Sequence, residues 1–350
     1  MLGLQRNGGN RILFSVINSL AESGCVLEVI TPAHAGEPGF EIDKSVKITP
    51  LELARGPKLL AWLLFVPLCA WRLKGHQILA NHFVTAVSAQ LAAAISKRTS
   101  IFYFVQDIEY EFYRFPFSII ARWLCFFTYR IHGLMPSNRY LESKLNLMGF
   151  PSLKSCGIGI EDDFLDLKLA SADKRFDVLL FLRRGKHKRL DLSYSLIRAL
   201  HKKGIITVAI APSIELIKPV EKSIGWGFVA ASDLELVEIL DSTKLLALTS
   251  GHEGFALPPL EAMARGLPVV LFSCGGPLQY AKHQENSMIS NVGDLKGMIT
   301  NIETILQNKR TYERLSNKAK ETASKYRLSE SARRTADAVM EYFTSKNSTT

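Results

Sequence analysis

The chain has 350 residues, room for two domains, and its 47% hydrophobic and 22% charged residues exclude disorder over most of that length. Gly 23 and Pro 14 exclude a collagen-like or low-complexity chain, and five scattered Cys with no Cys-x-x-Cys pair exclude a zinc ribbon, a dithiol redox site and a disulfide framework. The net charge of +10 admits nucleic acid, anionic lipid or phosphorylated small molecules as partners, and its excess is spread between Arg55 and Lys154 rather than gathered in an arm.

The first ten residues hold no apolar run of the signal-peptide kind, so a cytoplasmic chain is expected. Residues 10–23 read as a helix, with Ile12, Leu13, Val16, Ile17 and Leu20 on one stripe, ended by Gly24. Residues 25–31 read as a strand. The run from Leu59 to Trp71, bracketed by Lys58 and Arg72, is too short to span a bilayer and contains Pro67, so it is expected to be a buried or interfacial helix. Strands are expected at 77–80, 100–105 and 133–136, with helices at 84–96 and 119–130 between them. The pattern lapses near 155–175, as a linker would. It resumes with strands at 176–182, 205–211, 245–249 and 269–272, helices at 190–203, 233–242 and 259–265, and three closing helices from about 294. This β/α alternation predicts parallel sheets covered by helices, in two domains.

Only seven residues precede Gly8, and Gln5, Arg6 and Asn7 are polar, so they make a poor central strand. The expectation is that the first strand is absent or that the chain starts downstream of its true beginning.

The richest motif is Ser250-Gly-His-Glu-Gly-Phe-Ala-Leu-Pro-Pro-Leu-Glu261. A strand delivers a loop carrying Glu253. Gly254 permits close backbone approach to a ligand. Pro258 and Pro259 suit a helix start, and the amides of Phe255, Ala256 and Leu257 can face an anion there. Glu261 is expected in the first helical turn, where its carboxylate can accept from a diol. Two carboxylates, a run of amides and a helix N-terminus together suit a sugar joined to a nucleotide diphosphate.

A second element, Phe181-Leu-Arg-Arg-Gly-Lys-His-Lys188, delivers cations from a strand end, as a diphosphate requires. Gly8-Gly9 before a helix would let a phosphate approach its amides. A strand is expected to end at Gln106-Asp107, inside a window from Phe102 to Tyr129 that holds 12 of the chain's 33 aromatic residues, able to stack on sugars, sit at a lipid interface or pack in the core. His82 is another strand-end polar residue. There is no cluster of metal-ligand spacing and no Asp-x-Asp pair, so no metal and no cofactor are expected.

These motifs resemble the retaining glycosyltransferases of the GT-B class, family 4 type, that use nucleotide sugars. The resemblance rests on Glu253 and Glu261 with seven residues between them, on the Gly-Phe and Pro-Pro-Leu-Glu-Ala-Met-Ala wording, and on the following Gly-x-Pro-Val-Val. Gly8-Gly9-Asn10, Cys156–Phe164 and Gly275-Gly276 fall where that family has its first loop, its interdomain segment and its glycine pair. The Tyr-Phe-Val-Gln-Asp wording is similar to that of bacterial polysaccharide glycosyltransferases, including rhamnosyl-transferring ones.

The resemblance implies two Rossmann-like α/β domains facing across a cleft: an acceptor domain over 1–155, a donor domain over 156–328, and a last helix over 329–345 returning to the first. It implies Glu253 on donor-sugar hydroxyls, Glu261 on the ribose, and Arg183 with Lys188 on the departing diphosphate, with Arg184 and Lys186 as competitors. Gly9, Gly254, Phe255, Ala256 and Leu257 complete the donor site. The family often has a histidine where this chain has Gln106-Asp107, so Asp107, Gln106 and His82 are the acceptor-side candidates.

The expected activity is metal-independent transfer of a sugar from a nucleotide sugar to a cell-surface glycan, such as a lipopolysaccharide, with a lipid-linked acceptor and no nucleic acid partner. An anionic membrane surface on the inner face of the cell membrane is a further expected partner. A nucleotide-sugar 2-epimerase and a non-catalytic, membrane-bound partner of a transferase are the alternatives.

Overall fold

The computed structural model describes residues 1, 3–33, 35–52, 58–168, 173–229 and 232–347, and the side chains of these except 58–63 and 347. Leu2 of the expected poor strand, and the side chain of Trp62, therefore lie outside the described residues. The chain divides into two compact units, residues 1–159 with 328–350 (unit 1) and residues 160–327 (unit 2).

Unit 1 runs α1 (Gly8–Glu22), β1 (Glu28–Pro32), β2 (Lys47–Leu51), α2 (Lys58–Leu73), β3 (Gln77–Ala80), α3 (Phe83–Ile95), β4 (Ser100–Val105), α4 (Phe117–Thr128), β5 (Gly133–Pro136) and α5 (Arg139–Leu147). The helix α1 starts two residues earlier than the stripe suggested. Asn7 is its cap, accepting from the Asn10 amide, so Gly8 and Gly9 lie inside the first turn rather than before it. Strands β3, β4 and β5 form a parallel sheet in that order, while β1 and β2 form a separate parallel pair. Residues 3–5 belong to no strand, although the Leu4 amide donates to Ala35 O at 3.2 Å and the Met1 nitrogen to Ile30 O at 2.6 Å.

The core of unit 1 is aromatic: Phe102, Tyr103, Phe104 and Tyr129 are fully buried. The last helix, α12 (Leu328–Asn347), closes it. Tyr342 and Phe343 of that helix meet Phe102 of β4 ring to ring, at 5.5 and 6.4 Å. Gly133 at the start of β5 makes room for Tyr342, because a Cβ there would sit 2.8 Å from that ring.

Unit 2 runs α6 (Asp163–Asp166), β6 (Phe176–Phe181), α7 (Leu190–His201), β7 (Thr207–Ala211), β8 (Trp226–Val229), α8 (Asp233–Asp241), β9 (Thr243–Leu248), α9 (Leu257–Ala264), β10 (Val269–Phe272), β11 (Ser287–Ser290), α10 (Leu295–Gln307) and α11 (Lys309–Ala323). The chain then leaves for α12 (Leu328–Asn347) in unit 1. The six strands form one parallel sheet in the order β11-β10-β9-β6-β7-β8. Its central strands are nearly all apolar and buried, as expected where helices cover both faces. From β6 the chain winds outward in one direction through β7 and β8. From β9 it winds in the other, through β10 and β11. The switch point of such a sheet lies between those two neighbours, where loops diverge and leave a crevice.

Candidate donor site at the switch point

The two motifs read from the sequence are the loops that leave β6 and β9, and β6 and β9 are hydrogen-bonded neighbours. The loop after β6 carries Arg183 to Lys188. The loop after β9 carries Glu253. The Gly251 amide donates to His187 O at 2.8 Å, which ties the two loops, and the Ser193 hydroxyl of α7 meets that of Thr249 at 2.6 Å.

Their charged groups meet. Lys188 Nζ lies 2.8 and 2.7 Å from the two carboxylate oxygens of Glu253. Glu253 is buried, and its backbone is fixed on both sides: its amide donates to Cys274 O, and its carbonyl accepts from the Gly276 amide, both at 2.8 Å. A buried carboxylate needs such a partner, because desolvation of an unpaired charge costs several kcal/mol. The neighbouring Cys274 thiol is pushed up to about 12 by burial, with the Glu253 charge adding to it, so it stays neutral and is no nucleophile.

Gly275-Gly276 follows β10 and packs under this loop. A Cβ on Gly276 would lie 2.1 Å from Gly254 O, so no other residue fits. Ala256, the residue before α9, has φ of +63°, a conformation unusual for a residue with a Cβ. The Tyr280 hydroxyl holds it there, donating to Ala256 O at 2.6 Å and to Phe255 O at 3.2 Å. Burial raises the Tyr280 hydroxyl well above its ordinary range, so it remains a donor. The rings of Phe255, Tyr280 and Tyr326 pack against one another at 5.3 to 6.1 Å.

The helix α9 begins at Leu257, with proline in its first turn. Glu261 therefore stands two residues further into the helix than the sequence suggested, beyond its first turn, and it is buried. Its favourable interaction with the helix dipole is correspondingly weaker. Arg183 is exposed at the mouth of β6, with its guanidinium over the Phe181 ring at 5.3 Å, and Arg184 and Lys186 are exposed beyond it. Of the four cations in that loop, Lys188 is the one joined to Glu253. Tyr280 was not singled out from the sequence. Nothing in its spacing marks it, since its partners lie across a fold contact.

The acceptor-side candidates lie in unit 1. Gln106 Nε2 donates to Gly9 O at 2.8 Å, which brings the end of β4 to the first turn of α1. A Cβ on Gly9 would come within 3.1 Å of Gln106 Oε1, so the glycine makes this approach possible. Asp107 accepts from the amide of Ile108. His82 is the cap of α3, its Nδ1 accepting from the Val84 amide, and burial pushes its pKa down to about 4. It is thus neutral near neutral pH. Beside it lies Glu109, which was not singled out: buried, accepting from the Tyr103 hydroxyl at 2.9 Å and the Phe83 amide at 3.2 Å, and pushed by burial up to about 8. Among the described residues, no group of three or more His, Cys, Asp or Glu is placed to hold a metal ion.

Residues 163–322 match the family described as Glycosyl transferases group 1. An uncharacterized glycosyltransferase of Haemophilus influenzae is 31% identical over 87 residues, a quarter of each chain. The chain spans about a quarter to a third of the length of the curated relatives that head the comparison. Among solved structures, sucrose-phosphate synthase from Thermosynechococcus elongatus superposes with a TM-score of 0.78 at 15% identity, covering 98% of this chain and 96% of that one. HepE of Anabaena, solved in complex with UDP and glucose, superposes with a TM-score of 0.73 at 16% identity, covering 97% of this chain and 98% of that one. The fold is therefore GT-B, and the stretch that matches the group 1 model covers most of unit 2.

Proposed function

We propose that the protein is a glycosyltransferase that moves a sugar from a nucleoside diphosphate sugar to a glycan acceptor. The observation that carries this reading is the Lys188–Glu253 pair, seated at the switch point of the domain that matches the family. The diphosphate of an incoming donor draws Lys188 away from Glu253. The lysine then meets the charge that develops on the leaving group, and Glu253, released, accepts from donor-sugar hydroxyls. The amides of Phe255, Ala256 and Leu257 at the start of α9 face the phosphates, Arg183 supplies a second cation, and Glu261 accepts from the ribose. HepE, whose structure holds UDP and glucose, supports a nucleotide-sugar donor.

Retention of anomeric configuration, independence of metal and a lipid-linked cell-surface acceptor belong to the same proposal. So does a location at the inner face of the cell membrane. Among the described residues no helix is long and apolar enough to cross a membrane. A lysine beside the diphosphate supports metal independence, since it would supply the counter-charge.

The test is thermal shift against nucleotide sugars and nucleoside diphosphates, followed by product analysis with the donor that stabilises. A ligand at 100 times its dissociation constant stabilises by roughly 2.7 kcal/mol. Folded protein that no nucleotide sugar stabilises overturns the reading and favours a non-catalytic role. An epimerised nucleotide sugar as the product would make it a 2-epimerase.

A further inference from the structure

The helix α4 is built inside out. A helix on a soluble domain turns its large apolar residues inward. Here the residues facing the core are small: Ala121 is 4% exposed, and Cys125 and Thr128 are fully buried. Leu124 and Phe126 are half-buried against that core, and the other large side chains face outward. Trp123 is 69% exposed, Phe117 64% and Ile119 61%, with Ile120 and Phe127 also exposed. Trp123 and Phe127 stack on each other at 6.1 Å with rings nearly parallel, and Phe115, just before the helix, is 80% exposed.

The neighbouring helices continue the surface. The helix α3 lies between α2 and α4. It exposes Leu91 and Ile95, and α2 exposes Leu64, Leu68 and Trp71. A contiguous apolar face of this kind marks an interaction surface rather than ordinary exposed carbon.

Charge identifies what covers it. Residues 64–130 carry seven Lys and Arg against three acids. Those acids are accounted for: Glu109 is buried, Glu111 is paired with Lys144 at 2.7 Å, and Asp107 accepts from the Ile108 amide. The cations rim the apolar face. Arg114, Arg122 and Arg130 are exposed before, on and after α4, and Lys97 and Arg98 are exposed after α3. Arg122 lies over the Tyr110 and Phe126 rings, and Lys74 over Trp71 at 3.1 Å, so these cations stand beside aromatic rings. Aromatic and branched side chains rimmed by Lys and Arg match the interface of an anionic bilayer, where rings sit at headgroup depth and cations meet lipid phosphate.

We propose that the outer face of α4, with Trp123 at its centre, enters the interface of an anionic lipid bilayer and is the main membrane-docking element of unit 1. This deepens the reading of a membrane-borne acceptor by naming the surface that meets the membrane. Its test uses neither donor nor acceptor, so it can fail while sugar transfer stands, and the reverse.

The experiment is co-sedimentation of the full chain with phosphatidylcholine vesicles, with and without phosphatidylglycerol. The variants are Ile120→Ser/Trp123→Ser/Phe127→Ser on α4 and, as a control, Trp226→Ser on the exposed tryptophan of unit 2. The wild type and the control should bind the anionic vesicles, less so as salt rises. The triple variant should lose about tenfold or more in partitioning, since three large apolar side chains no longer leave water. Nucleoside diphosphate binding should be unchanged in all three. Should the triple variant fold poorly, quenching by brominated acyl chains decides: quenching in the wild type should fall sharply in Trp123→Phe and persist in Trp226→Phe. Equal vesicle binding by wild type and triple variant, or equal quenching with and without Trp123, overturns the proposal. So does a wild type that ignores vesicles but forms a dimer that the triple variant abolishes, because a second copy then covers the face.

Discussion

Lys188 and Glu253, far apart in sequence, form a two-pronged ion pair within one site, at 2.7 and 2.8 Å. Glu253 is nearly covered and Lys188 partly so, which makes the pair more than a surface contact. Lys188→Ala leaves a buried carboxylate without its partner and should cost about 2 kcal/mol, below the full penalty for a wholly buried pair. Adding Glu253→Ala should restore part of that loss. A double-mutant cycle by urea unfolding checks this, and strictly additive losses would show that the two side chains act independently. Turnover with the donor that binds should fall about a hundredfold in Lys188→Ala.

Tyr280 should act on the donor site without touching donor. Tyr280→Phe removes the bond to Ala256 O and should cost about 1 kcal/mol. It should raise KM for the nucleotide sugar more than it lowers kcat, because it loosens the loop that presents the amides. Ala256→Gly should do the opposite to stability, raising it by up to about 1 kcal/mol, since glycine adopts φ of +63° without strain. A lowered melting temperature in Ala256→Gly would refute the strain.

Two glycines next to the site should differ sharply. Gly276→Ala drives a methyl group into the backbone of Gly254 and should abolish nucleotide binding. Gly251→Ala meets the Arg189 and Val292 side chains at 3.4 Å and His187 O at 3.8 Å, ordinary contact distances, and should be tolerated. Titration of both variants with nucleoside diphosphate distinguishes them.

Glu109 gives unit 1 a pH dependence whose sign is fixed. Burial raises its folded pKa to about 8 from an ordinary value of 4.5, outweighing the hydrogen bonds from Tyr103 and Phe83. The folded state then holds a proton that the unfolded state has lost. This contribution is fully present below about pH 4.5 and declines as pH rises, with the loss complete above about pH 8. Glu109→Gln, neutral throughout, should remove the slope. Denaturant unfolding of both proteins at the two ends of that window should show the variant gaining on the wild type as pH rises, and parallel curves would contradict the assignment.

The sequence made the two loops of the candidate site legible because their parts are local. Pro258-Pro259 after a glycine loop announces a helix start, and Arg183 to Lys188 follows an apolar strand. It could not say that Leu257 rather than Pro259 opens α9, so the position of Glu261 in the helix differs from the expected one by two residues. The strands β2, β8 and β11 are short and sit at sheet edges, and they went unread. The role of Tyr280 depends on two loops meeting after different strands, which no local pattern encodes. In α4 periodicity revealed a helix but not which side faces in, because both sides carry apolar residues.

The division of unit 1 into residues 1–159 and 328–350 has a consequence for the newborn chain. Leu13, Phe14, Val16 and Ile17 of α1 are buried in the finished unit, where α12 packs on that helix. A ribosome must make the whole of residues 160–327 before α12 exists, which takes roughly ten to thirty seconds at ordinary elongation rates. Through that interval unit 1 stands open along α1 and the Phe102 face of β4, while unit 2, continuous in sequence, can already close. The helper proteins that bind exposed apolar segments during synthesis would therefore meet the beginning of this chain rather than its middle.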